Sequence, residues 1–132
     1  VIDELYRQFE GITWYMQKTL NALYSLPVST NKIGLDEMEE AIRSIIESND
    51  FTYAEKMFQL PEKQKELLLA INRDGKATKI TSVNFVKRHK MYSTSTVQSA
   101  CNGLLDKELI TEENGVYSVY DQFFDLWLRE NY

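Results

Sequence analysis

At 132 residues with 43% hydrophobic side chains, including eight tyrosines, six phenylalanines and two tryptophans, the chain suits one compact domain or two small ones and is too aromatic for disorder. No run approaches the ~18 apolar residues of a membrane span, and the single cysteine, Cys101, excludes an internal disulfide and a multi-cysteine metal site. The net charge of −5 is unevenly spread: residues 1–60 carry ten acids and five bases, 61–92 carry eight bases and three acids, and 93–132 carry two bases and seven acids.

In chain order, "VIDELYRQFEG" has neither the basic start nor the apolar core of a signal peptide. It has no initiator methionine and a helical pattern from the outset, so it reads as a fragment of a longer chain, from a reducing cytoplasm. A short helix is expected to end near Phe9 and break at Gly11, with a second helix ending near Leu26 before Pro27. "PVSTNKIG" is a loop. Leu35, Met38, Ala41, Ile42, Ile45 and Ile46 form a helical stripe, and "LDEMEE" places acids in its first turn, where the helix dipole favours them. "ESND" interrupts, and Phe51, Tyr53, Met57 and Phe58 suggest another short helix.

Pro61 is a good first helical position, and Leu67, Leu68 and Ile71 share one face of a helix closing at Gly75. "ATKI" is a short extended piece. "TSVNFVKRHK" is a brief helix with Phe85 and Val86 inward. In "STSTVQSACNGLLD", Val97, Ala100, Cys101, Leu104 and Leu105 recur at i, i+3, i+4, i+7 and i+8, the stripe a helix buries against its neighbours. Its other face shows Ser95, Gln98, Ser99 and Asn102. Asn114-Gly115 between alternating apolar residues marks a hairpin, and "DQFFDLWLREN" is an amphipathic helix capped by Asp121. Trp127 with Phe123, Phe124 and Leu128 packs that helix on the core, whereas Trp14 and Tyr15 suit an exposed patch that a further domain would cover.

Helix, short strand, helix, helix and hairpin follow one another as in a winged helix-turn-helix. The fold expected is therefore mainly α with a small β-hairpin: a helical lid-like segment over 1–58, then a winged helix over 61–132.

Enzyme chemistry finds little support. The five glycines are isolated, so no P-loop or dinucleotide turn is present. His89 is the only histidine, which removes multi-histidine zinc sites. Cys101 falls on the apolar stripe, and the acids of "DEMEE" fit a solvated helix start. No catalytic or metal-ligating residue is expected.

Nucleic-acid binding fits better. No acid occurs between Asp74 and Asp106, and this stretch holds Lys76, Lys79, Lys87, Arg88 and Lys90, all suited to phosphates. In a helix-turn-helix the second helix presents its N-terminal residues to base edges. There Thr94 and Ser95 suit phosphate, and the amides of Gln98 and Asn102 suit bases. The alternative is a wet helix face beside a solvated lysine run. Glu112 and Glu113 at the wing tip favour that alternative, because carboxylates beside phosphate repel.

"FEGITWYMQKTLNALY", "LPEKQKELLLAI", "TVQSA…GLL" and "VYDQFFDLWL" together resemble the C-terminal portion of AAA-family ATPases. The subgroup is the predicted-archaeal-ATPase type common in Bacteroides-like bacteria, related to origin-recognition and STAND ATPases. The resemblance covers essentially the whole chain. It implies that residues 1–58 are the tail of a helical lid, that 61–132 are a winged helix, and that ATP and magnesium belong to a parent core this chain lacks. Such lids often open a helix on a Gly-Gly-x-Pro-like turn. The matching positions here are Glu10-Gly11-Ile12-Thr13, with threonine where proline is usual and only Arg7 nearby, so no nucleotide-sensing role carries over. The expected function is a non-catalytic regulatory module that works on the parent ATPase core and on double-stranded DNA. Its rivals are a winged helix that only docks on protein, in cis or on a partner, and a free-standing transcription regulator.

Overall fold

The computed structural model describes residues 35–132 and, before them, Arg7, Tyr15, Lys18, Thr19 and Ala22, all five helical. The expected break at Gly11, the loop after Pro27, the Glu10–Thr13 turn and the Trp14 patch lie outside the described residues. The chain forms two compact units, Val1–Phe51 and Thr52–Tyr132. No helix among the described residues is long and apolar enough to cross a membrane.

In the first unit Tyr15 and Thr19 are buried, and the Thr19 hydroxyl donates to the Tyr15 carbonyl one turn back at 2.9 Å. Tyr15 is thus not the exposed aromatic its neighbourhood suggested. Helix α1 (Leu35–Ser48) follows the predicted stripe, with Met38, Ala41, Ile45 and Ile46 buried and Asp36 and Glu37 in its first turn. The interruption shrinks to Asn49, whose amide donates to the Ile45 carbonyl at 2.8 Å and closes α1. Helix α2 (Asp50–Gln59) follows at once, burying Tyr53 and Met57 but leaving Phe51 and Phe58 exposed.

The second unit continues with α3 (Glu62–Asp74), β1 (Ala77–Thr78), α4 (Val83–Arg88), α5 (Thr94–Asp106), β2 (Ile110–Glu113), β3 (Val116–Val119) and α6 (Gln122–Asn131). This is the order of a winged helix, with one addition to the expected hairpin. β1 joins it, pairing Ala77 with Tyr117 and Thr78 with Val116, so the sheet is antiparallel with three strands in the order β1-β3-β2. Two residues are too few for an alternating pattern to register; burial of Ala77 on the sheet holds the strand in place.

Helix α3 is the hub, packing on α5, β3 and α6. Leu67, Leu68, Ile71, Val97, Leu104 and Leu128 are wholly buried there. Phe124 stands 5.1 Å from the Tyr53 ring and 5.9 Å from Trp127, joining α6 to α2. Asn72 is buried, and its amide donates to the Asp125 carbonyl at 3.0 Å and to Asp125 Oδ1 at 2.6 Å, so a polar contact fixes α3 against α6. Asp121 caps α6 as expected, accepting from the Phe123 and Phe124 N–H groups at 2.9 and 3.3 Å.

Candidate nucleic-acid interface

The helix-turn-helix is built by caps at all four of its ends, α5 closing on left-handed Glu108 (φ 58°) with the Leu109 N–H on the Leu104 carbonyl at 3.0 Å. Ser82 caps α4 by accepting the Phe85 N–H at 3.1 Å, and Phe85 is buried beneath it. α4 stops at a residue in the left-handed region, Lys90 (φ 55°). There the Met91 N–H reaches the Val86 carbonyl at 2.9 Å and the Lys90 N–H reaches that of Lys87 at 3.2 Å. This bond pair terminates a helix on a left-handed residue, usually glycine. It turns the chain so that Met91 is buried and Ser93 starts α5.

The Ser93 hydroxyl accepts the Thr96 N–H at 3.2 Å and lies 2.9 Å from the Thr96 hydroxyl and 3.2 Å from that of Ser95. Ser93 is therefore a structural cap, while Thr94 and Ser95 face solvent. Helix α5 then buries Val97, Ala100, Cys101 and Leu104 and exposes Gln98, Ser99 and Asn102. The Gln98 amide donates to Asn102 Oδ1 at 3.1 Å. That bond holds the two amides together one turn apart, leaving a carbonyl on Gln98 and an N–H group on Asn102, an acceptor and a donor of the kind an adenine edge requires.

All nine residues singled out in the sequence are exposed. Lys87, Arg88, Lys90, Thr94 and Ser95 occupy one continuous segment, from the last turn of α4 to the first turn of α5, and Gln98 and Asn102 extend it along α5. Lys76 and Lys79 flank β1 instead, at the edge of the sheet, with Lys79 also left-handed at φ 50°.

Arg88 is already partnered by an acid. Arg88 Nη2 lies 2.5 Å from Asp74 Oδ2, and His89 Nε2 lies 3.2 Å from Asp74 Oδ1. His89 Nε2 also lies 3.4 Å from Arg88 Nε. One nitrogen cannot donate to the carboxylate while accepting from Arg88, and the shorter, charge-assisted contact with Asp74 is the stronger. The His89 ring packs 4.6 Å from that of Phe85. The only histidine thus stitches the turn to the end of α3. The sequence showed Asp74 as the last acid before the basic stretch, but not that it folds back upon it.

The wing has its own geometry. Asn114 (φ 54°) and Gly115 (φ 78°) are both left-handed, which a two-residue hairpin turn twisted to match its strands requires. Glu112 Oε1 accepts the Gly115 N–H at 2.7 Å, so this carboxylate braces the turn, and Glu113 is exposed beside it. Cys101 is buried; burial pushes its thiol up, with a hydrogen bond from Tyr117 opposing and Glu112 reinforcing the shift. A thiol so held is not a nucleophile. No group of three or more His, Cys, Asp or Glu capable of holding a metal ion occurs among the described residues.

Two further residues border the site. Tyr92, just before the α5 cap, is 76% exposed, and Lys63 Nζ from α3 lies 3.2 Å from its ring centre. The pairing is remote in sequence and leaves no periodic signal; the available clue was an aromatic residue directly preceding a capping serine in an acid-free stretch.

A family model described as a probable winged helix domain matches residues 51–130. No curated protein and no solved structure matches the chain.

Proposed function

The chain belongs to the probable winged helix domain family, and we propose that it is a non-catalytic module binding double-stranded DNA through the α4–turn–α5 segment. The exposed, mutually bonded amides of Gln98 and Asn102 carry this reading, because they lie on the face of α5 opposite its buried stripe and follow directly on Lys87 and Lys90. Lys87 and Lys90 neutralise phosphates, with Arg88 beside them as far as Asp74 releases it, Thr94 and Ser95 position the helix start, and the amides meet base edges. Lys76 and Lys79 add charge beside β1.

The sequence resemblance supports placing the module in a cytoplasmic AAA-type ATPase. ATP and magnesium would sit in the parent core, whose state would move the winged helix. Reading the gene upstream of Val1 tests this: a P-loop is expected, and a start codon at this point would instead give a free-standing regulator.

Titration of a labelled duplex with the chain tests the DNA reading. Binding is expected to weaken steeply with salt, since phosphate contacts release counterions, and to vanish when Lys87, Arg88 and Lys90 are all changed to Glu. Absence of binding at low salt, or binding indifferent to salt, refutes it. The exposed Glu113 on the wing favours a second reading, docking on a protein surface, which that negative result would select.

A further inference from the structure

Among the described residues, the large apolar side chains left exposed include Phe51, Phe58, Val83, Tyr92, Tyr120 and Tyr132. Tyr92 is set apart by its position and its partner. It links Lys90 and Met91, which end α4, to Ser93, which caps α5, and the Lys63 ammonium from the first turn of α3 lies 3.2 Å from its ring centre. Among the described residues, the carboxylate paired with that ammonium is Glu66, at a loose 3.8 Å. A ring covers one side of an ammonium that has three N–H donors, so donors remain for an outside acceptor. The phenol adds a hydroxyl donor at the rim. Both chains stand where the backbone enters the helix that carries Gln98 and Asn102.

We infer that Lys63 and Tyr92 form a second phosphate contact on the DNA backbone, extending the interface from the α4–α5 turn onto α3. The inference rests on the DNA-binding reading above. The cation supplies the charge. The ring holds the cation in place and the hydroxyl donates to a phosphodiester oxygen, so two elements distant in sequence would grip one strand. Stacking of an unpaired base is disfavoured on the ring face that Lys63 already covers.

Anisotropy titrations of the full chain with a labelled duplex, at salt concentrations from about 50 to 200 mM, test this. Lys63→Gln is expected to weaken binding about fivefold to tenfold at ~0.1 M salt and to reduce the salt slope by about 0.9, the loss of one phosphate contact. Tyr92→Phe keeps the ring and removes the donor; it should weaken binding severalfold with the slope unchanged, because a neutral hydrogen bond releases no counterion. A merely structural pair moves neither quantity in Tyr92→Phe, and circular dichroism checks that both variants remain folded. Should the chain bind DNA, and lose binding with the Lys87, Arg88 and Lys90 changes, while Lys63→Gln and Tyr92→Phe bind as the parent does, this inference fails and the DNA reading stands. Should the unaltered chain not bind at all, both fail.

Discussion

On the DNA-binding proposal, replacing Asp74 with Asn should make the chain bind a duplex more tightly. Asp74 is the last residue of α3, where the dipole disfavours a carboxylate, and it holds Arg88 Nη2 at 2.5 Å and His89 Nε2 at 3.2 Å. Arg88 is 60% exposed, so its pair with Asp74 contributes about 0–1 kcal/mol. Relief of the unfavourable dipole returns roughly 0.3–1 kcal/mol. The two nearly cancel, an asparagine oxygen can still accept from His89 Nε2, and the melting temperature should move by only a few degrees. The effect on binding does not cancel. A released Arg88 adds one phosphate contact, and with a slope of about −0.9 per contact the gain at ~0.1 M salt is about eightfold, or ~1.2 kcal/mol. Anisotropy titrations at several salt concentrations read both quantities: tighter binding, and a slope steeper by about 0.9. Unchanged affinity with an unchanged slope would mean that Arg88 never faces phosphate, and would remove it from the interface.

Lys90→Gly should raise stability while weakening DNA binding, because Lys90 occupies a left-handed helix terminus at φ 55°; relief of about 1 kcal/mol, several degrees in the melting temperature, is expected, and a lower value would contradict this account of the α4 terminus. Burial raises the Asp125 carboxyl from its ordinary value, against the pull of Asn72 and Arg129. Its charged form is thus penalised in the fold, and the penalty is lifted as pH falls through its folded value. Asp125→Asn removes that penalty, so urea unfolding should show the variant gaining most over the parent at neutral pH and losing the advantage on acidification; a constant difference refutes the assignment.

What could be read in the sequence was whatever lies within a turn or two of itself. The α5 stripe, the Asn114-Gly115 turn and the Asp121 cap all express local spacing, and each stands in the structure where the pattern put it, except that Leu105 at the end of the stripe is only half-buried. The left-handed ends of α4 and α5 escaped notice because Lys90 and Glu108, not glycines, occupy them. Apolar spacing also overstated burial in α2, where Phe51 and Phe58 face solvent. The contacts at the candidate site that spacing does not show are the non-local ones: β1 on β3, Asp74 on Arg88, Lys63 on Tyr92.

This matters for how charge is assigned. Counting along the chain gives residues 61–92 a net of +5, with Asp74 already among the three acids. The fold leaves that sum intact but places Asp74 against Arg88, so the neutralising acid is not spread over the segment. On the DNA-binding proposal, Lys87 and Lys90, which have no salt bridge among the described residues, would then carry the phosphate attraction next to α5. Single changes at these two lysines should therefore reduce the salt slope more than a change at Arg88. In the Asp74→Asn background the three changes should each reduce the slope by about 0.9, while the guanidinium, with its planar fork of donors, should cost the most affinity when removed.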